Sequence, residues 1–220
     1  MNEVLIEVNG ETLLLDPAGA LWWPAEQTLV FADLHFEKGS AYARSGQMLP
    51  PYDTRATLAR MEALITRHAA ARVIALGDSF HDRDAGNRLD TYERETLIRL
   101  GRGVEWIWIA GNHDPSPPSW LEGKILEEMT IGGLIFRHEP LLLPAPGEIA
   151  GHLHPCKNIT RRGRSLRRRC FVSDNKRLVM PAFGAYAGGL DVRSRAVRTL
   201  FGENLLAYLL GVRRVYAVAA

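Results

Sequence analysis

Residues 28–35 read Thr-Leu-Val-Phe-Ala-Asp-Leu-His, an apolar run that ends in an aspartate and a histidine. The stretch from Thr28 to Ala32 has the length and the β-branched and aromatic content of a buried strand. Because ligands of α/β sheets bind beyond the carboxyl ends of strands, we expect the segments that follow such strands to converge on one site. Four further strand-like runs end in similar polar segments: Gly77-Asp78, Gly111-Asn112-His113-Asp114, Arg137-His138-Glu139 and Gly151-His152-Leu153-His154.

Helical and turn patterns separate these strands along the chain. Apolar residues at 58, 61, 64 and 65 recur with helical spacing, and Asn9-Gly10 is typical of a tight turn. We interpret the glycine-rich segment 181–189 as a turn that brings backbone close to the site. The whole pattern predicts a hairpin over 4–15, strands over 72–76, 104–110, 134–137, 148–150 and 213–218, and helices over 53–70, 91–100 and 203–210.

The composition is that of a folded protein rather than a disordered one. Of the 220 residues, 46% are hydrophobic and 24% are charged, and this length predicts a single domain over residues 1–220. The first ten residues lack a basic segment followed by an apolar one, and the apolar stretch 205–212 is too short to span a bilayer. We therefore expect a cytoplasmic protein with no membrane association. Cys156 and Cys170 are the only cysteines, which predicts free thiols.

The charges are unevenly distributed along the chain. With 27 lysines and arginines against 25 aspartates and glutamates, the net charge of +2 indicates no partner by itself. Seven basic residues and no acidic one lie between Lys157 and Arg169, whereas the rest of the chain carries 20 basic and 25 acidic residues. This basic arm, residues 157–169, suits contact with a polyanion, because lysine and arginine neutralise phosphates without base specificity. The alternative is a solvated surface hairpin.

The five polar segments share one kind of chemistry. Each alone is ordinary, since an Asp-x-His sequence is usually a capped turn, but the five occur together and in order. Carboxylate, imidazole and carboxamide groups together suit Mn, Fe, Co, Ni, Zn or Mg rather than a thiolate-bound metal. The sequence therefore predicts a divalent-metal site.

The segments resemble the motifs of the calcineurin-like metallophosphoesterases. Asp33-x-His35, Gly77-Asp78, Gly111-Asn112-His113-Asp114, His138 and Gly151-His152-x-His154 lie in that family's order. The resemblance implies an α/β (α+β) fold, a four-layer αββα sandwich of two mixed β-sheets flanked by helices. It also implies a metal-dependent phosphoesterase, a hydrolase that acts on ester bonds.

The same resemblance implies two divalent metal ions per chain, and we expect manganese. Two cations ~3.5–4 Å apart lower the pKa of a bridging water and stabilise its in-line attack on phosphorus. Asp78 would bridge the metals. The other implied ligands are Asp33, His35 and His154 for the first metal, and Asn112, His138 and His152 for the second.

Three further residues are candidates for catalytic roles. His113 follows the ligand Asn112 and is placed to protonate the leaving oxygen or to stabilise charge in the transition state. We expect Asp114 or Asp82 to orient the His113 ring.

One motif departs from the superfamily pattern. Asp82-Arg83 follows Asp78 by four residues instead of the usual three, with His81 inserted. This insertion leaves the contact of Arg83 with phosphate open, and it makes His81 an alternative to His138 as a metal ligand.

A narrower resemblance covers nearly the whole chain. Residues 34–38, residues 77–82 and Pro181-Ala182-Phe183-Gly184 with Gly188-Gly189 resemble the ligase-associated, DNA-damage-response branch of the metallophosphoesterases. This branch implies a role in bacterial DNA repair, with an ATP-dependent DNA ligase and a helicase as functional associates. We therefore expect a phosphodiesterase that acts as a DNA endonuclease. The alternatives are a small-molecule or cyclic-nucleotide phosphoesterase and a non-catalytic scaffold of a repair complex.

Basic and aromatic side chains are the candidates for contact with DNA. Trp22 and Trp23 are consecutive in a strand and cannot both face inward, so one of them is a candidate for an exposed side chain that stacks a base, although a core position is favoured for each. Phe36 and Phe80 lie in the metal-motif loops and are expected to line the pocket. In the basic arm, the expected DNA contacts are Arg161, Arg162, Arg164, Arg167, Arg168 and Arg169.

Overall fold

The computed structural model describes residues 3–161, 163–201 and 205–219. The strands are β1 (Val4–Val8), β2 (Glu11–Leu15), β3 (Leu21–Trp23), β4 (Thr28–Phe31), β5 (Arg72–Leu76), β6 (Glu105–Ile109), β7 (Lys124–Leu126), β8 (Glu128–Ile131), β9 (Leu134–Arg137), β10 (Glu148–Ala150), β11 (Cys156–Arg161), β12 (Arg164–Ser173), β13 (Leu178–Val179), β14 (Leu206–Leu210) and β15 (Val215–Ala219). The helices are α1 (Lys38–Arg44), α2 (Asp53–His68), α3 (Ala85–Arg88), α4 (Thr91–Gly101) and α5 (Arg195–Arg198).

The first sheet is mixed and follows chain order from β1 to β7. Strands β1 to β4 pair antiparallel, beginning with the predicted hairpin that turns at Asn9-Gly10. Strands β4 to β7 pair parallel, with helices as crossovers between β4, β5 and β6. The parallel half places the carboxyl ends of β4, β5 and β6 at one edge of the sheet.

The second sheet is also mixed, in the order β15-β14-β12-β13-β10-β9-β8. Strands β9, β10 and β13 are parallel, and the flanking pairs are antiparallel. Strand β11 pairs with the first half of β12, so the basic arm is an antiparallel hairpin that extends from this sheet.

Apolar side chains place the sheets face to face. Residues of the first sheet such as Val30 and Ile74 share one core with Phe136, Ile149 and Phe171 of the second. The other face of the first sheet is covered by α2 and α4, and the other face of the second by the short helix α5. The layers are therefore helix, sheet, sheet, helix, which confirms the expected fold.

The amphipathic helices form where the sequence predicts them. In α2, Leu58, Met61 and Leu64 are buried on the face that packs against the sheet. At the start of α4, Asp90 accepts from the Glu93 N–H (2.8 Å) and Glu93 accepts from the Asp90 N–H (3.1 Å). This reciprocal capping box satisfies two backbone donors that a helix start otherwise leaves without partners.

The predicted helix over 203–210 is wrong where the structure describes it. Residues 206–210 form β14, and residues 203 and 204 lie outside the described part of the chain. Ala207 and Leu209 face the core under α5, whereas Tyr208 faces the core between the sheets. A short run that is apolar on both faces has no periodicity that separates strand from helix.

The four aromatic side chains considered for the site, those of Trp22, Trp23, Phe36 and Phe80, are buried in the core. Trp22 and Trp23 point to opposite faces of β3, and both are buried because the first sheet is covered on both faces. Phe36 and Phe80 do not line the site as expected; they are buried beneath it, where their backbones form a parallel bridge and their rings pack edge to face.

Candidate metal centre

The predicted ligands meet where the parallel strands of the two sheets end. The His152 N–H donates to both carboxylate oxygens of Asp33 (3.1 and 3.0 Å), which joins the loops of the two sheets. The side chains come from the loops after β4 (Asp33 and His35), β5 (Asp78), β6 (Asn112 and His113), β9 (His138) and β10 (His152 and His154).

A first group consists of Asp33, His35 and His154. One ligand atom from each lies within 4.8 Å of the other two. The Nε2 atom of His154 lies 3.2 Å from Asp33 Oδ1 and 3.3 Å from His35 Nε2. Two imidazoles and a carboxylate therefore point at one location.

A second group consists of Asp78, His138 and His152, with Asn112 beside them. The His138 Nδ1–H donates to the Leu76 carbonyl oxygen (2.9 Å), so Nε2 carries the lone pair of the neutral ring. That Nε2 lies 2.9 Å from Asn112 Oδ1, 3.4 Å from Asp78 Oδ1 and 3.2 Å from His152 Nδ1. The lone pair thus faces two oxygen acceptors, an arrangement that a cation stabilises.

The backbone at the centre is strained. Asp33, His35, Asp78, His152 and His154 all have positive φ, between 45° and 67°. This left-handed region is uncommon for residues other than glycine, and it persists when the surrounding structure enforces it. The conformation turns each loop sharply after its strand and directs the side chain into the centre.

Glycine is required at position 77 because the ring of His138 approaches its backbone closely. A Cβ atom at this position would overlap the ring of His138, and the backbone there also has a positive φ of 69°. The glycine before Asp78 therefore lets the second sheet's histidine reach the first sheet's aspartate.

His113 is oriented by a backbone carbonyl. Its Nδ1–H donates to the His81 carbonyl oxygen (2.7 Å), and the two rings stack with centroids 5.3 Å apart. Its Nε2 lies 3.9 Å from Asp78 Oδ2. The Nδ1–H is therefore held by main chain and not by Asp114 or Asp82, which were expected to orient this ring.

Asp114 and Asp82 hold loops instead. Buried Asp114 accepts from the N–H groups of Ser79 (2.8 Å) and Phe80 (3.0 Å), so it fixes the backbone directly after Asp78. Asp82 forms a bidentate ion pair with Arg88 (2.8 and 2.7 Å). Arg83 beside it is exposed.

His81 joins His35 and His113 rather than replacing His138. The ligand atoms of these three histidines lie within 4.8 Å of one another, and His81 Nδ1 is 3.5 Å from His35 Nδ1. His138 occupies the position in the second group that the motif order predicts.

The chain as a whole is similar to known proteins. Residues 27–214 match the family described as Calcineurin-like phosphoesterase. The chain belongs to this family. It is 31% identical to the Pseudomonas putida nuclease MPE, over 99% of this chain and 100% of that one, with a TM-score of 0.76. A phosphoesterase from E. coli, Yfce, is 15% identical over 87% of this chain and 98% of that one, with a TM-score of 0.44. A comparison with curated proteins gives no match.

Family membership makes this calcineurin-like phosphoesterase a metal-dependent hydrolase, and its donor set fits divalent cations. The carboxylate, carboxamide and imidazole groups are of the borderline-hard type. In the described part of the chain, no helix combines the length and apolar content needed to cross a bilayer.

Burial lowers the pKa of three imidazoles at the centre, which favours the neutral form that a metal ligand requires. Burial and then the neighbouring His154 lower the pKa of His35 to about 2. Burial, followed by Lys38 and His113, lowers the pKa of His81 to about 4. Burial also lowers the pKa of His152. Asp114 shows the opposite effect, since burial raises the pKa of its carboxyl to about 7.

Lys38 is a residue of the site that sequence reasoning did not assign. It is half-buried at the start of α1, and burial lowers the pKa of its ammonium group while Asp53 and Asp78 oppose that shift. Its charge in turn acts on His35 and His81. Its place three residues after His35 was the available signal.

The basic arm of the phosphoesterase reaches the site through one of its two faces. Arg167 donates to the Gly189 carbonyl oxygen, and Gly189 packs so closely on His154 that a Cβ would overlap the His154 carbonyl oxygen. Arg169 donates to the carbonyl oxygens of Ala182 (2.8 Å) and Ala185 (2.9 Å).

The remaining arginines of the arm lie elsewhere. Because strand side chains alternate, Arg164 and Arg168 point to the opposite face of β12, where they line a cavity with Ile159 and Leu166. Of the Arg161 side chain nothing is described, and Arg162 lies outside the described residues.

Proposed function

We propose that this protein is a divalent-metal-dependent phosphodiesterase that cleaves DNA as an endonuclease in DNA repair. The observation that carries the metal chemistry is the lone pair of His138 Nε2 facing Asp78 Oδ1 (3.4 Å) and Asn112 Oδ1 (2.9 Å). Such a cluster of acceptors is unfavourable without a cation.

The proposed ligands divide into two sets that share Asp78. Bound divalent cations supply Lewis-acid charge and a water of lowered pKa. The rest of the chemistry belongs to the chain. Manganese is the proposed metal. The ligands are Asp33, His35 and His154 in one set, and Asn112, His138 and His152 in the other.

His113 is proposed to donate a proton to the leaving oxygen. The His81 carbonyl holds Nδ1, so in the protonated ring only Nε2 is free to donate, and it faces the side of the centre occupied by Asp78. Lys38 adds a positive charge that can stabilise a negatively charged phosphate oxygen. Both groups act on charge that develops during P–O cleavage.

Two observations support a nucleic-acid substrate. The Pseudomonas putida protein that shares 31% identity over almost the whole chain is named a nuclease. The exposed Arg167 of the basic arm donates to the Gly189 carbonyl oxygen, and Gly189 packs against the backbone of His154. This position suits contact with phosphates that flank the scissile bond. The motif resemblance further supports an association with an ATP-dependent DNA ligase and a helicase.

A metal-resolved activity screen tests the proposal. The protein is stripped of metal, reloaded separately with Mn, Mg, Fe, Co, Ni or Zn, and assayed on circular single-stranded DNA, RNA, cyclic nucleotides and bis-p-nitrophenyl phosphate. We expect manganese-dependent cleavage of the circular DNA, a substrate without ends. Hydrolysis of cyclic nucleotides without DNA cleavage would instead establish the small-molecule alternative.

A further inference from the structure

A cavity of about 490 Å³ opens directly beside the metal centre. His152 is among its lining residues, and the Nδ1 atom of His152 lies 3.2 Å from His138 Nε2. Volumes of roughly 300–1,000 Å³ are typical of small-ligand sites. The walls come from the loop after His138 and from α5, and they include Glu139, Pro140, Leu142, Leu153, Arg195 and Leu200.

One wall is an exposed leucine on an anchored loop. Leu142 is 75% exposed, yet the backbone on both sides of it is fixed. The buried Arg177 donates to the carbonyl oxygens of Leu141 (2.9 Å) and Leu143 (2.5 Å), and Glu148 accepts from the Leu141 N–H (2.9 Å). The loop therefore holds an apolar side chain in water at a fixed place beside the centre.

Another part of the lining combines apolar surface with an exposed arginine. Leu200 belongs to the core under α5 and Leu153 packs against that core, so the fold fixes the positions of both side chains. Arg195 is exposed, and within residues 3–161, 163–201 and 205–219 its guanidinium has no ion pair or hydrogen bond. A ligand in the cavity would thus meet aliphatic faces and an unused forked donor.

We propose that this cavity is a nucleobase subsite for the nucleotide adjoining the scissile phosphate, which rests on the proposed phosphodiesterase function. A planar base would fill the space between Leu142 and Leu200, while its phosphate lies at the metal centre. Arg195 donates to acceptors on the base edge or to the next phosphate, and Glu139 accepts from exocyclic amino groups. Apolar contact with a base face is tolerant of sequence, and every base edge offers Arg195 an acceptor, so the subsite accommodates all four bases; the Glu139 contact is added only for bases with an amino group, and thymine does not make it.

Calorimetric titration of the manganese-loaded protein with two ligands tests this proposal. The ligands are thymidine 5′-monophosphate and 2-deoxyribose 5-phosphate, which differ only by the base. We expect the nucleotide to bind roughly tenfold more tightly, in line with the worth of one base contact. Leu142→Ser is expected to reduce this ratio to about two, whereas Leu143→Ser leaves it unchanged, since Leu143 is equally exposed but does not line the cavity.

A second pair of variants tests the cationic wall. Arg195→Ala is expected to weaken nucleotide binding severalfold, and Arg198→Ala, on the same helix but outside the cavity, is expected to have no effect. Equal binding of the two ligands to the wild-type protein, or equal losses in both leucine variants, would overturn the subsite. If the ratio is tenfold but circular DNA stays intact, the subsite stands and the endonuclease proposal fails.

Discussion

The Nδ1 atom of His113 donates a 2.7 Å hydrogen bond to the carbonyl oxygen of His81. The acceptor is main chain, so the orientation of the His113 ring survives replacement of the His81 side chain. The two neighbouring histidines are therefore expected to respond differently to the same substitution.

His113→Ala is expected to lower kcat on DNA by about 10²–10⁴, the usual worth of a general acid. The loss is expected to be much smaller on bis-p-nitrophenyl phosphate, because p-nitrophenolate leaves without protonation. His81→Ala keeps the carbonyl acceptor and is expected to cost less than about tenfold on DNA. Steady-state kinetics of both variants on both substrates measure the difference; equal losses on the two substrates would remove the proton-donor role.

Asp78→Asn is expected to reduce bound metal and to lower activity by more than about a hundredfold, because it removes the carboxylate that faces His138. Asp84→Asn is the matched control, since Asp84 is an exposed carboxylate that lies 3.8 Å from the Arg44 guanidinium and outside the metal centre. Metal analysis after dialysis, alongside activity, is the measurement. Full metal content in Asp78→Asn would contradict the ligand assignment.

Arginines on the two faces of β12 are expected to contribute differently to DNA binding. Arg167→Ala is expected to raise KM for single-stranded DNA several-fold and to leave the hydrolysis of small diesters unchanged. The slope of log K for DNA binding against log salt concentration is expected to become smaller by about 1, the value for one lost phosphate contact. Arg168→Ala, on the face turned away from Gly189, is expected to have the smaller effect. A salt titration of DNA binding checks both; identical slopes in wild type and Arg167→Ala would argue against the contact.

Arg169 is expected to act through the fold instead. Its guanidinium donates to the carbonyl oxygens of Ala182 and Ala185, in a loop whose Gly184 N–H donates to the Asp33 carbonyl oxygen (3.1 Å). Arg169→Ala is expected to lower stability by about 1–3 kcal/mol and to reduce turnover of DNA and small diesters equally. Thermal unfolding and parallel assays test this; a loss confined to DNA would mark Arg169 as a substrate contact.

Glu93 gives a pH-dependent prediction away from the site. Burial raises the pKa of this capping-box carboxyl from 4.5 to about 7. The unfolded chain ionises near pH 4.5 and the folded one near pH 7, so Glu93 progressively destabilises the fold across that interval. Glu93→Gln keeps a capping acceptor and removes the buried charge. We expect a gain of roughly 1–3 kcal/mol at pH 8 and almost none at pH 4.5.

Thermal unfolding of wild type and Glu93→Gln at pH 4.5, 6 and 8 provides the measurement. The difference between the two proteins cancels the titration of every other group. A gain that does not grow with pH would contradict the raised pKa.

The strands and the meeting of the ligands were predictable because both depend on local patterns. Strands β5, β9 and β10 have the predicted bounds, and each is an apolar run closed by a polar segment. The parallel pairing of β4, β5 and β6 then brings Asp33, Asp78 and Asn112 to one edge.

The errors arise where a property depends on contacts distant in sequence. Nothing in the order of residues reveals that a main-chain carbonyl, rather than Asp114 or Asp82, holds His113. Burial of both Trp22 and Trp23 required knowing that the first sheet is covered on both faces. The fixed position of Leu142 could not be predicted either, because Arg177, which binds the carbonyl groups on both sides of it, lies 35 residues away along the chain.

Asp33 and Asp78 come from one sheet, and His138 and His152 come from the other. Each proposed ligand set therefore combines residues of both sheets, Asp33 with His154 and Asp78 with His138 and His152, and a bound cation would cross-link the two halves of the sandwich, as a disulfide does in secreted proteins. Folding would then be coupled to the supply of divalent metal, and chains left without metal would be less stable and more sensitive to proteases.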